Sequence, residues 1–182
     1  MQSAPQSHQK GEKMTCKIRE WKLEDAEDLA AVISDKDVQD NLRDGIPYPY
    51  TREDAEEFIS AMLSADRNKV FAFAITADEK VAGSIAVFRQ ENIHSRTGEL
   101  GYYLAQDYWG KGLMPEAVKQ ICDYVFCNTD MIRIFAEPFA QNIRSCRVLE
   151  KAGFQYEGTL RCNAVKNGLV MDMKMYARLR DR

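Results

Sequence analysis

LGYYLAQDYWGKGLMPEAVKQICDYVF, residues 100–126, places an apolar, aromatic run, a loop with two glycines and an amphipathic helix in direct succession. Leu100 to Leu104 reads as a buried strand. The loop from Ala105 to Gly112 turns the chain at Gly110 and Gly112, which lack the Cβ that disfavours left-handed geometry. Beyond Leu113 the apolar positions Val118, Ile121, Cys122, Val125 and Phe126 recur at helical spacing, so the helix begins near Met114. Pro115 suits its first turn, where a missing N–H has no intrahelical partner. A loop of this kind aims several unpaired N–H groups, and the positive end of a helix dipole, into one space, which suits a phosphate. Two common phosphate motifs are excluded. A dinucleotide fingerprint needs a third glycine and a later acidic residue, and Walker A needs Gly-Lys followed by Ser or Thr; Gly110-Lys111-Gly112-Leu113 supplies neither. The alternative is that the glycines merely turn the chain.

Outward from this stretch, 182 residues at 45% hydrophobic content suffice for one domain with a sizeable core. The expected division is a polar, mobile leader over residues 1–13 and a single domain over residues 14–182. The net charge of −3 comes from Lys and Arg scattered among Asp and Glu, which gives no basic stripe for nucleic acid and no polybasic membrane anchor. The acidic balance slightly favours cationic acceptors. No apolar run is long enough to span a bilayer and the first residues lack a signal-peptide core, so a cytoplasmic protein is expected. Five cysteines at irregular spacing form neither a disulfide framework nor a zinc pattern, and with only His8 and His94 no metal is expected. His94 reads as a solvated loop residue.

In chain order, Cys16 to Trp21 alternates weakly as a first strand. A helix follows with Ala26, Leu29, Ala30 and Ile33 on one face, and Asp37 to Leu42 adds a further turn. Pro47 and Pro49 interrupt it. Thr51 caps a new helix with Asp54 in the capping-box position and Ala55, Phe58, Ile59 and Met62 inward. Val70 to Thr76 and Val81 to Arg89 read as a hairpin, and Glu91 to Thr97 as a loop. Thr97 to Leu104 alternates, with Glu99, Gly101 and Tyr103 on one face and Leu100, Tyr102 and Leu104 on the other. Gly101 in mid-strand suggests a bulge or a close approach. Met131 to Phe135 is a fifth strand, parallel to the fourth because a helix joins them. Asn142 caps a helix that Gly153 ends. Phe154 to Arg161 and Val165 to Leu179 close the chain as an antiparallel pair turning at Lys166-Asn167-Gly168.

Glu99 to Ala117, ELGYYLAQDYWGKGLMPEA, resembles the acyl-coenzyme A loop of the GNAT acetyltransferase superfamily, Q/R-x-x-G-x-G/A, in the branch of ribosomal-protein N-terminal and spermidine acetyltransferases. Aligned on Gly110 and Gly112, the motif's first position falls on Asp107, where the usual Gln or Arg is absent. Asn142 to Phe154 is similar to the superfamily's N-x-x-S-x-x-x-x-x-K-x-G-F signature. The resemblance implies a mixed α/β (α+β) GNAT fold: a central, mostly antiparallel sheet of six or seven strands, a splayed parallel pair, and flanking helices. It implies acetyl-coenzyme A as cosubstrate, without a metal, held by Tyr103, Leu104, Ala105, Tyr108, Trp109, Gly110, Lys111, Gly112, Leu113, Met114, Asn142 and Ser145. It also implies an acceptor pocket at Tyr48 and Tyr50, which can otherwise be read as a packed turn, and a homodimer paired through sheet edges.

Acetyl transfer from a thioester to an amine needs a neutral amine, a polarised carbonyl and a proton for the departing thiolate. Backbone N–H groups near Tyr103 and Leu104 are candidates to polarise the carbonyl. By resemblance Glu99 and Glu137 are the candidate bases and Ser145 the candidate proton donor, with Tyr156 a weaker substitute. Each carboxylate could instead be a solvated strand-end charge, and Ser145 could simply bond backbone. The expected activity is therefore acetyl-coenzyme A-dependent N-acetylation of a primary amine, a protein α-amino group first. The alternatives are a polyamine or other small amine, or a non-catalytic coenzyme A-binding sensor.

Overall fold

The computed structural model describes residues 14–181, and the leader expected over residues 1–13 lies outside them. Seven strands form one sheet, β1 (Cys16–Arg19), β2 (Val70–Ala77), β3 (Lys80–Arg89), β4 (Thr97–Leu104), β5 (Arg133–Ala136), β6 (Gln155–Lys166) and β7 (Leu169–Leu179). Their order is β1-β2-β3-β4-β5-β7-β6. Every neighbouring pair is antiparallel except β4 and β5, which are parallel. The tight hairpins follow from local chemistry. Asp78 and Glu79 turn β2 into β3 with φ of 47° and 75°, and Asn167 and Gly168 turn β6 into β7 with 51° and 76°.

Helices cover both faces. On one, α1 (Ala26–Ile33) and α3 (Arg52–Ser64) bury Leu29, Ile33, Ala55 and Ile59 with Trp21 and Tyr50 against Ala74 and Val81. α3 starts as its sequence dictates, with Asp54 N donating to Thr51 Oγ1 and Thr51 N donating to Asp54 Oδ2. The other face carries α4 (Leu113–Asn128) and α5 (Ile143–Lys151). There Val118, Ile121, Cys122, Val125 and Leu149 pack with Ile75, Ile85, Val87 and Ile134, all completely buried. Each such aliphatic side chain contributes about 1.5–3 kcal/mol when fully removed from water. α4 is the crossover that parallel pairing of β4 and β5 demands. Among the described residues, no helix is long and apolar enough to cross a membrane.

The differences from the sequence reading are local. β1 stops at Arg19, and Trp21 turns down to meet Phe58 edge-on with ring centroids 6.0 Å apart. The turn expected over Asp37 to Leu42 is the short helix α2 (Lys36–Gln39). β5 begins at Arg133 rather than Met131. β6 continues to Lys166, because a register shift between Leu160 and Ala164 absorbs the residues that break its alternation. At that shift Cys162 takes a φ of 53° and its N–H donates to Asp172 Oδ1. No bulge lies at Gly101. The β3–β4 register runs without a shift through Gly101, and a Cβ added there would meet nothing within 4 Å. The bulge lies on β3, where Ile75 faces Gly83 but Thr76 faces Val81, and a Cβ on Gly83 would sit 2.2 Å from Tyr103 O.

Candidate active site

β4 and β5 part early. They pair at Thr97↔Arg133, Gly98↔Ile134 and Glu99↔Phe135, and no further. On the other side of β4, Gln90 N donates to Thr97 O and Ala105 N donates to Ala82 O, in register with β3. Antiparallel alternation therefore turns the main chain of Thr97, Glu99, Gly101 and Tyr103 toward β3, and that of Leu100, Tyr102 and Leu104 toward β5. Past Glu99 that second set faces a gap. Tyr102 and Leu104, not Tyr103, present N–H groups there; Leu104 O accepts from Trp109 Nε1 at 2.8 Å.

The gap opens into a cleft of about 940 Å3. One end is the glycine loop. Gly110 and Gly112 both line it, with φ of 75° and 79°, and a Cβ on either would meet nothing within 4 Å. Gly112 is the N-cap of α4 and supplies no capping side chain, so the first N–H groups of that helix are unclaimed by a cap. Arg144, Arg147 and Lys151 of α5 line the same cleft, and Arg144 Cζ stacks 4.7 Å from the Trp109 ring centroid. Main-chain donors, a helix N-terminus and cations together fit a phosphorylated ligand.

In the middle, Asn142 Oδ1 accepts from Ser145 N at 3.0 Å, which starts α5. The cap leaves the Ser145 hydroxyl free to meet the Tyr102 hydroxyl at 2.7 Å. Burial pushes the Tyr102 phenol well above its ordinary pKa, so it stays protonated and can serve as a donor.

The other end is made of charged side chains. Glu99 ends the paired part of β4 and Glu137 follows β5, so the parting strands bring their carboxylates side by side. The Arg43 guanidinium lies between them, bonded through Nη2 to Glu99 Oε1 and 3.5 Å from Glu137 Oε2. Burial raises the Glu137 pKa, the Glu99 charge raises it further, and Arg43 opposes both. Asp37 also lines the cleft, and Gln106 Nε2 donates to its Oδ2 at 3.1 Å.

Of the residues expected at the site, Glu99, Glu137, Ser145, Tyr103, Leu104, Tyr108, Trp109, Gly110, Gly112, Leu113, Met114 and Asn142 line the cleft. Ala105 and Lys111 are not among its lining residues. The Ala105 amide is taken by Ala82 O, and Lys111 Nζ sits 5.6 Å from the Tyr108 ring centroid. Tyr48 and Tyr50 do not line the cleft either. Tyr50 is buried as the residue before the α3 cap and packs with Ala55, with its hydroxyl donating to Asp54 O, while Tyr48 is 63% exposed. From the preceding segment, Asp37, Val38, Asn41, Leu42 and Arg43 line the cleft instead. Tyr156 donates to or accepts from Thr159 and is 53% exposed, outside the cleft lining. Sequence reasoning missed Tyr102 as a partner of Ser145, although β4 alternation already grouped Tyr102 on one face with Leu100 and Leu104. It also missed Arg43, for which no local pattern gives a signal.

The family model described as "Acetyltransferase (GNAT) domain" matches residues 16–155. The chain is 36% identical to the Bacillus subtilis (strain 168) protein named "Probable N-acetyltransferase YjcK", over 63% of this chain and 64% of that one. It is 27% identical to the ribosomal-protein-serine acetyltransferase of Escherichia coli (strain K12), over 60% of each. Both alignments thus span less than two thirds of the relatives' own length. Among solved structures, the fold is similar to the ribosomal L7/L12 alpha-N-protein acetyltransferase RimL in complex with coenzyme A, with a TM-score of 0.81. That likeness covers 91% of this chain and 94% of that chain, at 22% sequence identity.

Proposed function

Because the chain belongs to the GNAT acetyltransferase family, we propose that it transfers acetyl from acetyl-coenzyme A to a primary amine, and that the amine is the α-amino group of a protein N-terminus. The observation that carries this reading is the parting of β4 and β5 beside a glycine loop whose main chain is open to a ligand. When bound, acetyl-coenzyme A supplies an acetyl group as a thioester, so the reaction forms a carbon–nitrogen bond, breaks a carbon–sulfur bond and releases a thiol. Gly110, Gly112 and the first turn of α4 would hold the phosphates, with Arg144, Arg147 and Lys151 supplying positive charge. The N–H groups of Tyr102 and Leu104 would bind in the gap as fixed dipoles, which cost no reorganisation.

Glu137 takes the proton that the ammonium must lose. Its raised pKa suits it to that task, because a base works best when its pKa lies nearer the operating pH. Glu99, bonded to Arg43, is its neighbour. The Ser145 hydroxyl, backed by Tyr102, holds the proton destined for sulfur. The acceptor identity is supported by the name of the Escherichia coli relative and by the acidic character of the end away from the glycine loop. That same acidity favours a second reading, a small polyamine acceptor.

Calorimetry with acetyl-coenzyme A, followed by mass spectrometry of peptides and polyamines incubated with enzyme and acetyl-coenzyme A, tests both parts. Sub-millimolar binding and mass gain on α-amines are expected. Absence of binding would remove the proposal, and gain on polyamines alone would select the second reading.

A further inference from the structure

Arg43 sits at a junction. It lines the main cleft and also a side cavity of about 310 Å3, and the two share Arg43, Glu137, Phe139 and Met173. The loop that carries it is tied down from across the sheet. Lys166 Nζ donates to Asp44 Oδ1 at 2.8 Å and Asn167 Nδ2 to Asp40 Oδ1 at 3.3 Å, so the β6–β7 hairpin tip fixes the chain on both sides of Arg43. The guanidinium is therefore delivered to Glu99 and Glu137 by a braced loop.

Two adjacent carboxylates that are mostly sheltered from water need a cation. Their side chains are only 24% and 20% exposed, whereas that of Arg43 is 63% exposed and can leave toward solvent without crossing the core. The pair thus keeps its cation on a removable arm.

We infer that Arg43 is a built-in stand-in for the acceptor's ammonium: the incoming cationic amine takes the guanidinium's place between Glu99 and Glu137, and its body extends into the side cavity. The inference rests on the transferase reading and deepens it by naming the acceptor class, an amine that arrives protonated. A neutral molecule cannot replace the guanidinium, because it would leave both carboxylates without a counter-charge. Arg43 is then a specificity residue that competes with substrate, a role no merely structural arginine would have.

The test is calorimetric binding of 1,4-diaminobutane and of alanine amide to the unmodified protein, Arg43→Gln and Arg43→Lys, without acetyl-coenzyme A. Arg43→Gln should bind both amines about fivefold more tightly, since an exposed ion pair is worth up to about 1 kcal/mol. Arg43→Lys, which keeps a cation, should stay within about twofold of the unmodified protein. In turnover the amine KM should fall by a similar factor in Arg43→Gln, with the acetyl-coenzyme A KM unmoved. If Arg43→Gln proves poorly folded by thermal melt, Arg43→Met, which keeps the apolar stem, carries the same expectation. Equal or weaker amine binding in a folded Arg43→Gln or Arg43→Met overturns the inference while leaving the transferase reading in place. Tighter amine binding without turnover of any amine would support the inference and count against the transferase reading.

Discussion

The two ends of the cleft are built from different material. The glycine-loop end is main chain: Gly110, Gly112, the first turn of α4, and the β4 amides that β5 leaves behind. The proposed acceptor end is side chain: Arg43, Glu99 and Glu137, brought together from three separate segments. Backbone geometry is fixed by local residues and tolerates substitution elsewhere. A side-chain cluster exists only if distant segments meet.

That contrast can be broken by substitution, and the largest effect is expected at the acceptor end. Glu137→Gln should lower kcat by about a hundredfold, the scale of losing a positioned base, with acetyl-coenzyme A affinity held within about twofold. Stopped-flow turnover and calorimetry on the same preparation check it; an equal loss of cofactor affinity would erase the distinction between the ends. The pH profile sharpens the point. The base must be deprotonated, so activity falls as pH drops through the Glu137 pKa, and the midpoint should lie above the ordinary value of 4.5. Arg43 holds that pKa down, so Arg43→Gln should move the midpoint upward.

At the other end Gly112→Val should weaken acetyl-coenzyme A binding about tenfold while leaving amine affinity alone. A β-branched residue at a φ of 79° costs about 1–2 kcal/mol before any contact is counted. Ser145→Ala lies between the two and should lower kcat about fivefold, because the Tyr102 phenol remains as a donor nearby. The smallest change is expected at Asp107→Gln, which restores the family residue to the loop. A cradle made of main chain should shift its cofactor affinity by less than about twofold, as read by calorimetry.

Sequence legibility divides along the same line. β4, its loop and α4 were readable because alternation, paired glycines and a helical apolar stripe each act within a few residues. The Thr51 and Asn142 caps were readable for the same reason. Gly83 escaped notice because its need to be glycine comes from Tyr103 O on the neighbouring strand, while the bulge expected at Gly101 is absent. Of the two readings open for Tyr50, the packed one describes it, because packing around the start of α3 claims its side chain. Arg43 was invisible, since only the meeting of its loop with the ends of β4 and β5 gives it partners.

The central claim is that β4 main chain, freed where β5 departs, binds the acyl donor. Site-resolved amide hydrogen exchange with and without acetyl-coenzyme A tests it most directly. Slowed exchange is predicted at Tyr102 and Leu104, together with Gly110 to Met114, and little change at Tyr103, whose amide already faces β3. Unchanged exchange at Tyr102 and Leu104 under saturating acetyl-coenzyme A would contradict it.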